Sequence, residues 1–230
     1  MLFNPNSLLE NSYIPIYGIT LAVAMFRYPK YFDTALKYFP ILLLYTFFNE
    51  TLGTLIYKYD AFSLTVNSLY IDYYYVIYNI YNIVFFVYFL YLFRSYTENL
   101  AFKKLAKYFI YIFLGVVLVN LFVQDFFLEY QYLTFFTGTA FLVIIVSQYL
   151  YEDWTNRQAG LRKKNILFWL GTGLLLYHIC YLPIKAIRYY NGLYNLSENP
   201  ELRKIHLTLI LITYIIFIVG FIRMKKKLVR

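Results

Sequence analysis

Lys107-Tyr-Phe-Ile-Tyr-Ile-Phe-Leu-Gly-Val-Val-Leu-Val-Asn-Leu-Phe-Val123 carries a charge only at its first residue and is apolar or aromatic from there on, Gly115 and Asn120 apart. It lacks the period-two alternation of a half-buried strand. A helix rises 1.5 Å per residue, and about 20 mostly apolar residues cross the hydrocarbon of a bilayer. The stretch therefore predicts a helix lodged in a membrane, entered from a basic border at Lys103, Lys104 and Lys107.

Six other segments share this character: Leu8 to Phe26, Tyr38 to Tyr57, Tyr73 to Phe93, Leu133 to Tyr151, Ile166 to Ile184 and Ile205 to Ile222. Pro15 and Gly18 interrupt the first of them. The whole chain is 61% hydrophobic and only 14% charged, against roughly 45–50% and 25% in soluble domains. A water-soluble core has no room for that excess. Because lipid admits only helices or closed barrels, and the runs are too long for barrel strands, the expected fold is all-α, a single seven-helix transmembrane bundle over residues 1–230.

The basic residues assign the sides. Arg27, Lys30 and Lys37 follow the first segment, Arg94, Lys103, Lys104 and Lys107 the third, Arg157, Arg162, Lys163 and Lys164 the fifth, and Arg223, Lys225, Lys226, Lys227 and Arg230 the last. These make 16 of the 21 Lys and Arg residues, against Lys58, Lys185, Arg188, Arg203 and Lys204 on the other side. Cytosolic loops retain positive charge, so the N-terminus is expected outside and the C-terminus in the cytosol. Met1 to Ser12 contain Glu10 but no Lys or Arg, which lacks the basic start of a cleaved signal peptide. The first segment is thus expected to be retained. The weight of Tyr, Ile, Phe, Lys and Asn suggests an AT-rich bacterial genome, and with it a bacterial cytoplasmic membrane.

A basic inner rim is explained by anionic lipid and the topology signal, without nucleic acid. The loops are short; the longest is expected from Lys185 to Lys204, with Asn191-Gly192 and Pro200 as turn signals. No separate soluble domain is expected, so a signal crossing the chain would pass to a cytosolic or membrane partner. Cys180 is the only cysteine, which leaves no internal disulfide and no thiol pair for zinc. No predicted span core contains a lysine, which excludes a Schiff-base chromophore such as retinal. Two histidines, at 178 and 206, are too few for an intramembrane metal site, and no phosphate-binding glycine loop or catalytic carboxylate pair appears. No cofactor is expected, and an enzyme is disfavoured.

Ionisable groups in hydrocarbon cost about 2.5–3.5 kcal/mol on insertion scales, which makes each one a candidate site. Glu50 in the second segment and His178 in the sixth lie at similar depth, which makes His178 the best candidate partner for the carboxyl. Asn49, Asn79, Asn82, Asn120, Thr137, Thr139, Thr213 and Tyr214 place further polarity in the same outer third. Tyr75, Asn79, Asn82 and Phe86 follow i, i+4, i+7, i+11 spacing on one helix face. Glu50, Asn79, Asn82, His178, Asn49 and Tyr75 are the expected ligand-binding set of an outward-facing polar cavity. His206 is expected at the interface and outside that set. The function expected from these features is a receptor-like or sensory membrane protein. A small solute or proton-coupled transporter, or a structural subunit of a membrane complex, are the alternatives.

Overall fold

The computed structural model describes residues 5–58, 74–156, 159–197 and 199–224. Among them the regular elements are all helical: α1 (Pro5–Arg27), two 3-10 turns (Tyr28–Lys30 and Ala35–Tyr38), α2 (Phe39–Lys58), α3 (Tyr74–Tyr96), α4 (Leu100–Val123), α5 (Tyr132–Asn156), the short α6 (Ala159–Arg162), α7 (Ile166–Leu193) and α8 (Pro200–Arg223). The long helices lie over the segments that hydropathy picks out. Five among the described residues, α3, α4, α5, α7 and α8, are long and apolar enough to cross a membrane. The chain is a multi-pass integral membrane protein.

Three helix starts are fixed by one device. Asn99 accepts from the Phe102 N–H at 3.1 Å, Asn165 from the Leu167 N–H at 3.2 Å and Asn199 from the Glu201 N–H at 2.9 Å. Each satisfies one of the amide donors that a helix leaves open at its first turn. The cap at Asn99 starts α4 seven residues before Lys107, so Lys103 and Lys104 ride on helix and not on a loop.

The expected loop from Lys185 to Lys204 is overturned in the same way. α7 continues through Pro183 to Leu193 and takes Asn191-Gly192 into its last turn. The chain reverses at Tyr194 and Asn195, where Asn195 adopts a left-handed φ of 51°, a conformation asparagine tolerates better than most residues. α8 then starts at Pro200, whose missing N–H costs nothing in a first turn. Hydropathy marks only the apolar stretch, and these helices run past it, carrying Lys103 and Lys104 on α4 and Lys185 and Arg188 on α7.

The chain divides into two compact units, residues 1–40 with 146–230 and residues 41–145. In the second, α3 packs on α4, and Phe86 is the centre of the core, edge-on to Phe113 and Phe135. Gly138 of α5 admits this ring: a Cβ there would stand 2.5 Å from Phe86 Cδ2. On α4 the buried Phe113, Val117 and Asn120 form one stripe, while Leu118, Val119 and Phe122 face outward, Phe122 at 91% exposure. An apolar exterior of this kind fits lipid and is incompatible with water.

In the first unit α8 packs against both α1 and α7. α1 and α8 run parallel: Tyr17 meets Tyr214 edge to face at 4.5 Å, and Tyr31, just beyond α1, meets Phe221 at 5.8 Å. α7 and α8 run antiparallel, with Tyr177 near His206 and Trp169 against Gly220. One end of this unit therefore gathers the end of α1, the start of α7 and the end of α8, with Arg27, Lys30, Lys163 and Arg223. The opposite end holds Tyr177, Tyr181, Arg188 and His206.

Candidate functional site

Tyr177, Tyr181, Lys185 and Arg188 are spaced i, i+4, i+8, i+11 along α7 and so share one face. That face meets His206 in the second turn of α8. The Tyr177 hydroxyl lies 3.0 Å from His206 Nε2, and Arg188 Nη1 lies 3.4 Å from His206 Nδ1 and 3.1 Å from the Tyr181 hydroxyl. A guanidinium can only donate, so Nδ1 is the acceptor and Nε2 carries the proton, donating to Tyr177. The imidazole also stacks on Tyr181, with ring centroids 4.2 Å apart and planes 17° from parallel. Arg188, Lys185 and Arg203 all act electrostatically on this ring. His206 is thus the polar joint between α7 and α8. Sequence reasoning left it outside the site, although the periodic Tyr-Tyr-Lys-Arg face of α7 was a readable signal.

The expected ligand-binding residues separate between the two units. Glu50, Asn49, Tyr75, Asn79 and Asn82 belong to residues 41–145, and His178 belongs to the other unit. Glu50 and its candidate partner His178 therefore belong to different units.

Glu50 shares a side-chain hydrogen bond with Tyr78 of α3 and lies within electrostatic range of Tyr81. Tyr81 stacks on Tyr45 at 5.5 Å and pairs with Thr46 at 3.0 Å. Thr46 gives its one proton to the Leu42 carbonyl at 2.9 Å, so the Tyr81 hydroxyl donates to Thr46. The result is a short polar row between α2 and α3, with one carboxyl and three phenols, the Tyr45 hydroxyl donating to the Ile77 carbonyl at 2.9 Å.

Asn79 does a different job. Its amide donates to the carbonyls of Phe126 and Glu129 at 2.9 and 2.8 Å, and its oxygen accepts from the Gln131 N–H at 3.0 Å. Asn82 donates to the Tyr130 hydroxyl at 2.9 Å. Both side chains grip the turn between α4 and α5, where Asp125 accepts from the Phe127 and Leu128 amides. Asn49 is buried on α2 and Tyr75 is half-buried at the start of α3. His178, 2% exposed, sits edge-on to the Tyr177 ring on α7.

A second polar cluster lies at the opposite end of the first unit. Glu152 and Asp153, in the last turns of α5, are buried, Asp153 at 3% exposure. Asn165 donates to Asp153 at 3.0 Å and to the Tyr149 hydroxyl at 2.7 Å, while Gln148 donates to Glu152 at 2.9 Å. The Arg162 guanidinium lies 3.9 Å over the Trp154 ring. Asn165 thus caps α7 with its oxygen and ties it to α5 with its amide nitrogen. Nothing in local composition announces this, because the partners are twelve and sixteen residues apart.

Among the described residues no group of three or more His, Cys, Asp or Glu side chains is placed to hold a metal ion. No protein-family model, characterised protein or solved structure matches this chain.

Proposed function

We propose that the chain is a seven-span, receptor-like protein of a bacterial cytoplasmic membrane, N-terminus outside and C-terminus in the cytosol. It binds a polar or amphipathic ligand at the outer ends of its helices and signals through a separate partner. The parallel course of α1 and α8 supports the alternating topology, since first and seventh spans must run the same way. Arg27, Lys30, Lys163, Lys164 and Arg223 lie at one end of α1, α7 and α8, against Lys185, Arg188, Arg203 and Lys204 toward the other, an excess in the direction that retention of positive charge on the cytosolic side gives.

The observation that carries the receptor reading is the use of both ring nitrogens and one face of His206 to hold α7 to α8 at the predicted outer end. At its other end α8 is held to the α1 side: Arg27 Nη2 donates to the Ile222 carbonyl at 3.3 Å and Lys30 Nζ to the Met224 carbonyl at 2.9 Å. A ligand competing for Arg188 or for the Tyr177 hydroxyl loosens one end of α8, and a rigid helix conveys that change to the other.

The two tryptophans, Trp154 and Trp169, both lie at the basic end and report on it. In Trp154→Phe protein reconstituted in vesicles, His206→Ala should shift the emission of Trp169. Unchanged emission, alongside altered labelling of a cysteine placed at Tyr189, would sink the relay. With Cys180→Ser as background, an impermeant maleimide added to intact cells should label a cysteine at Asn195 and spare one at Lys163. The reverse pattern would overturn the orientation.

A second reading, a proton-coupled transporter, is favoured by one feature, the Glu50 carboxyl hydrogen-bonded to Tyr78 within the span.

A further inference from the structure

We propose that the basic end of α1, α7 and α8 forms a seat for the headgroup of an anionic phospholipid, with Trp169 and Arg223 at its centre. This rests on the membrane assignment and is independent of the receptor reading. Three features converge on the last turn of α8.

The first is the Arg223 guanidinium, which lies 5.2 Å over the Trp169 ring. Gly220 makes this possible: its Cα comes so close to Trp169 that an added Cβ would sit 2.5 Å from the Trp169 Cβ. The second is the segment leading into α7. The Trp169 indole N–H donates to the Lys163 carbonyl at 3.0 Å, so the same indole that underlies Arg223 also fixes the backbone carrying Lys163 and Lys164, both exposed. The third is the end of α1, whose Arg27 and Lys30 bond the carbonyls of Ile222 and Met224, the neighbours of Arg223.

Five cations thus border one helix end. One nearby acid, Asp33, three residues after Lys30, is exposed, so the cations remain in excess. Asp153 and Glu152 are buried and hydrogen-bonded to Asn165 and Gln148.

The occupant is a lipid and not a free anion because apolar surface adjoins the charge on the membrane side. Met25 and Phe26 beside Arg27, and Ile222 beside Arg223, are exposed, Phe26 at 79%. A free phosphate would meet the cations and leave these side chains bare. A phospholipid covers both, with its phosphate on the planar guanidinium and its acyl chains along α1 and α8. Arg suits the phosphate because its donors are held in a fixed fork, and indoles settle at headgroup depth. Basic pockets between spanning helices on the cytosolic side bind such headgroups.

The test uses full-length Trp154→Phe protein, in which Trp169 is the remaining indole. It is reconstituted in phosphatidylcholine vesicles with a minor fraction of phosphatidylglycerol. Bromine is placed on the chains of one lipid or the other. Brominated phosphatidylglycerol should occupy the position beside Trp169 with a preference of about fivefold per mole or more over brominated phosphatidylcholine, the size one basic residue contributes near a charged surface. Arg223→Gln should lower that preference by about fivefold. Equal quenching by the two lipids overturns the proposal, as does an undiminished preference in folded Arg223→Gln protein. If sodium phosphate added to phosphatidylcholine vesicles alters Trp169 emission as much as phosphatidylglycerol does, the seat belongs to the free anion and the lipid assignment fails.

Discussion

The His206 ring lies flat on Tyr181, 4.2 Å between centroids, while its nitrogens reach Tyr177 and Arg188. Stacking and hydrogen bonding can be separated by substitution. His206→Phe keeps a ring on Tyr181 and removes both polar contacts, at an expected loss of about 1–3 kcal/mol in unfolding stability. His206→Ala also removes the stack and should cost about 0.5–1.5 kcal/mol more. Titration of micelle-solubilised protein with denaturing detergent measures both. Equal losses would mean the ring contributes nothing beyond its hydrogen bonds.

Three glycines should rank by what stands opposite them. A Cβ at Gly220 meets the Trp169 Cβ at 2.5 Å, an atom that cannot move without its backbone. At Gly173 the nearest atom is the far edge of the Phe217 ring at 2.7 Å, which can turn, and at Gly115 nothing lies within 4 Å. Gly220→Ala should therefore cost about 1–3 kcal/mol, Gly173→Ala less, and Gly115→Ala nothing, or gain up to about 1 kcal/mol from helix propensity. Thermal unfolding in one detergent gives the order. A destabilised Gly115→Ala protein would point to a neighbouring chain seated on that face of α4.

Asn79 holds the turn between α4 and α5 through three hydrogen bonds. Asn79→Ala should lose about 1 kcal/mol for each. Asn79→Asp should fare no better, because it keeps the oxygen that accepts from Gln131 but turns a second oxygen toward two carbonyls. Limited proteolysis between Phe126 and Tyr130 is the direct readout: both variants should be cut faster than wild type, and Asp125→Ala, which removes only the local turn contacts, should fall between.

These residues also show where sequence is legible. The helices were visible because a bilayer demands long apolar runs, and α4 is found from Lys107 to Val123 alone. Its true start at Asn99 was not, since the cap is a single polar residue in a polar neighbourhood. The face Tyr75, Asn79, Asn82 and Phe86 is correctly one face of α3, yet its polar members bond a turn some 50 residues later, a pairing that periodicity cannot assign. His206 and Asp153 show the same limit: hydropathy scores a residue by its type, while burial here is decided by which helix end lies beside it.

Glu50 distinguishes the two functional readings. Glu50→Gln keeps the size of the side chain and an oxygen to accept from Tyr78, but it cannot take up or release a proton. The polar row with Tyr78, Tyr81 and Thr46 should therefore survive, and stability should stay within about 1 kcal/mol of wild type. Glu50→Leu removes the Tyr78 contact and, with it, an ionisable group whose insertion costs about 2.5–3.5 kcal/mol, so its net effect on stability should also be small. What separates the readings is proton movement. Vesicles loaded with a pH-sensitive dye and given an inward proton gradient should acidify at one rate with wild-type and with Glu50→Gln protein if the chain is a receptor. Faster acidification with wild type that Glu50→Gln abolishes, while both variants fold, would replace the receptor with a proton-coupled transporter in which Glu50 carries the proton.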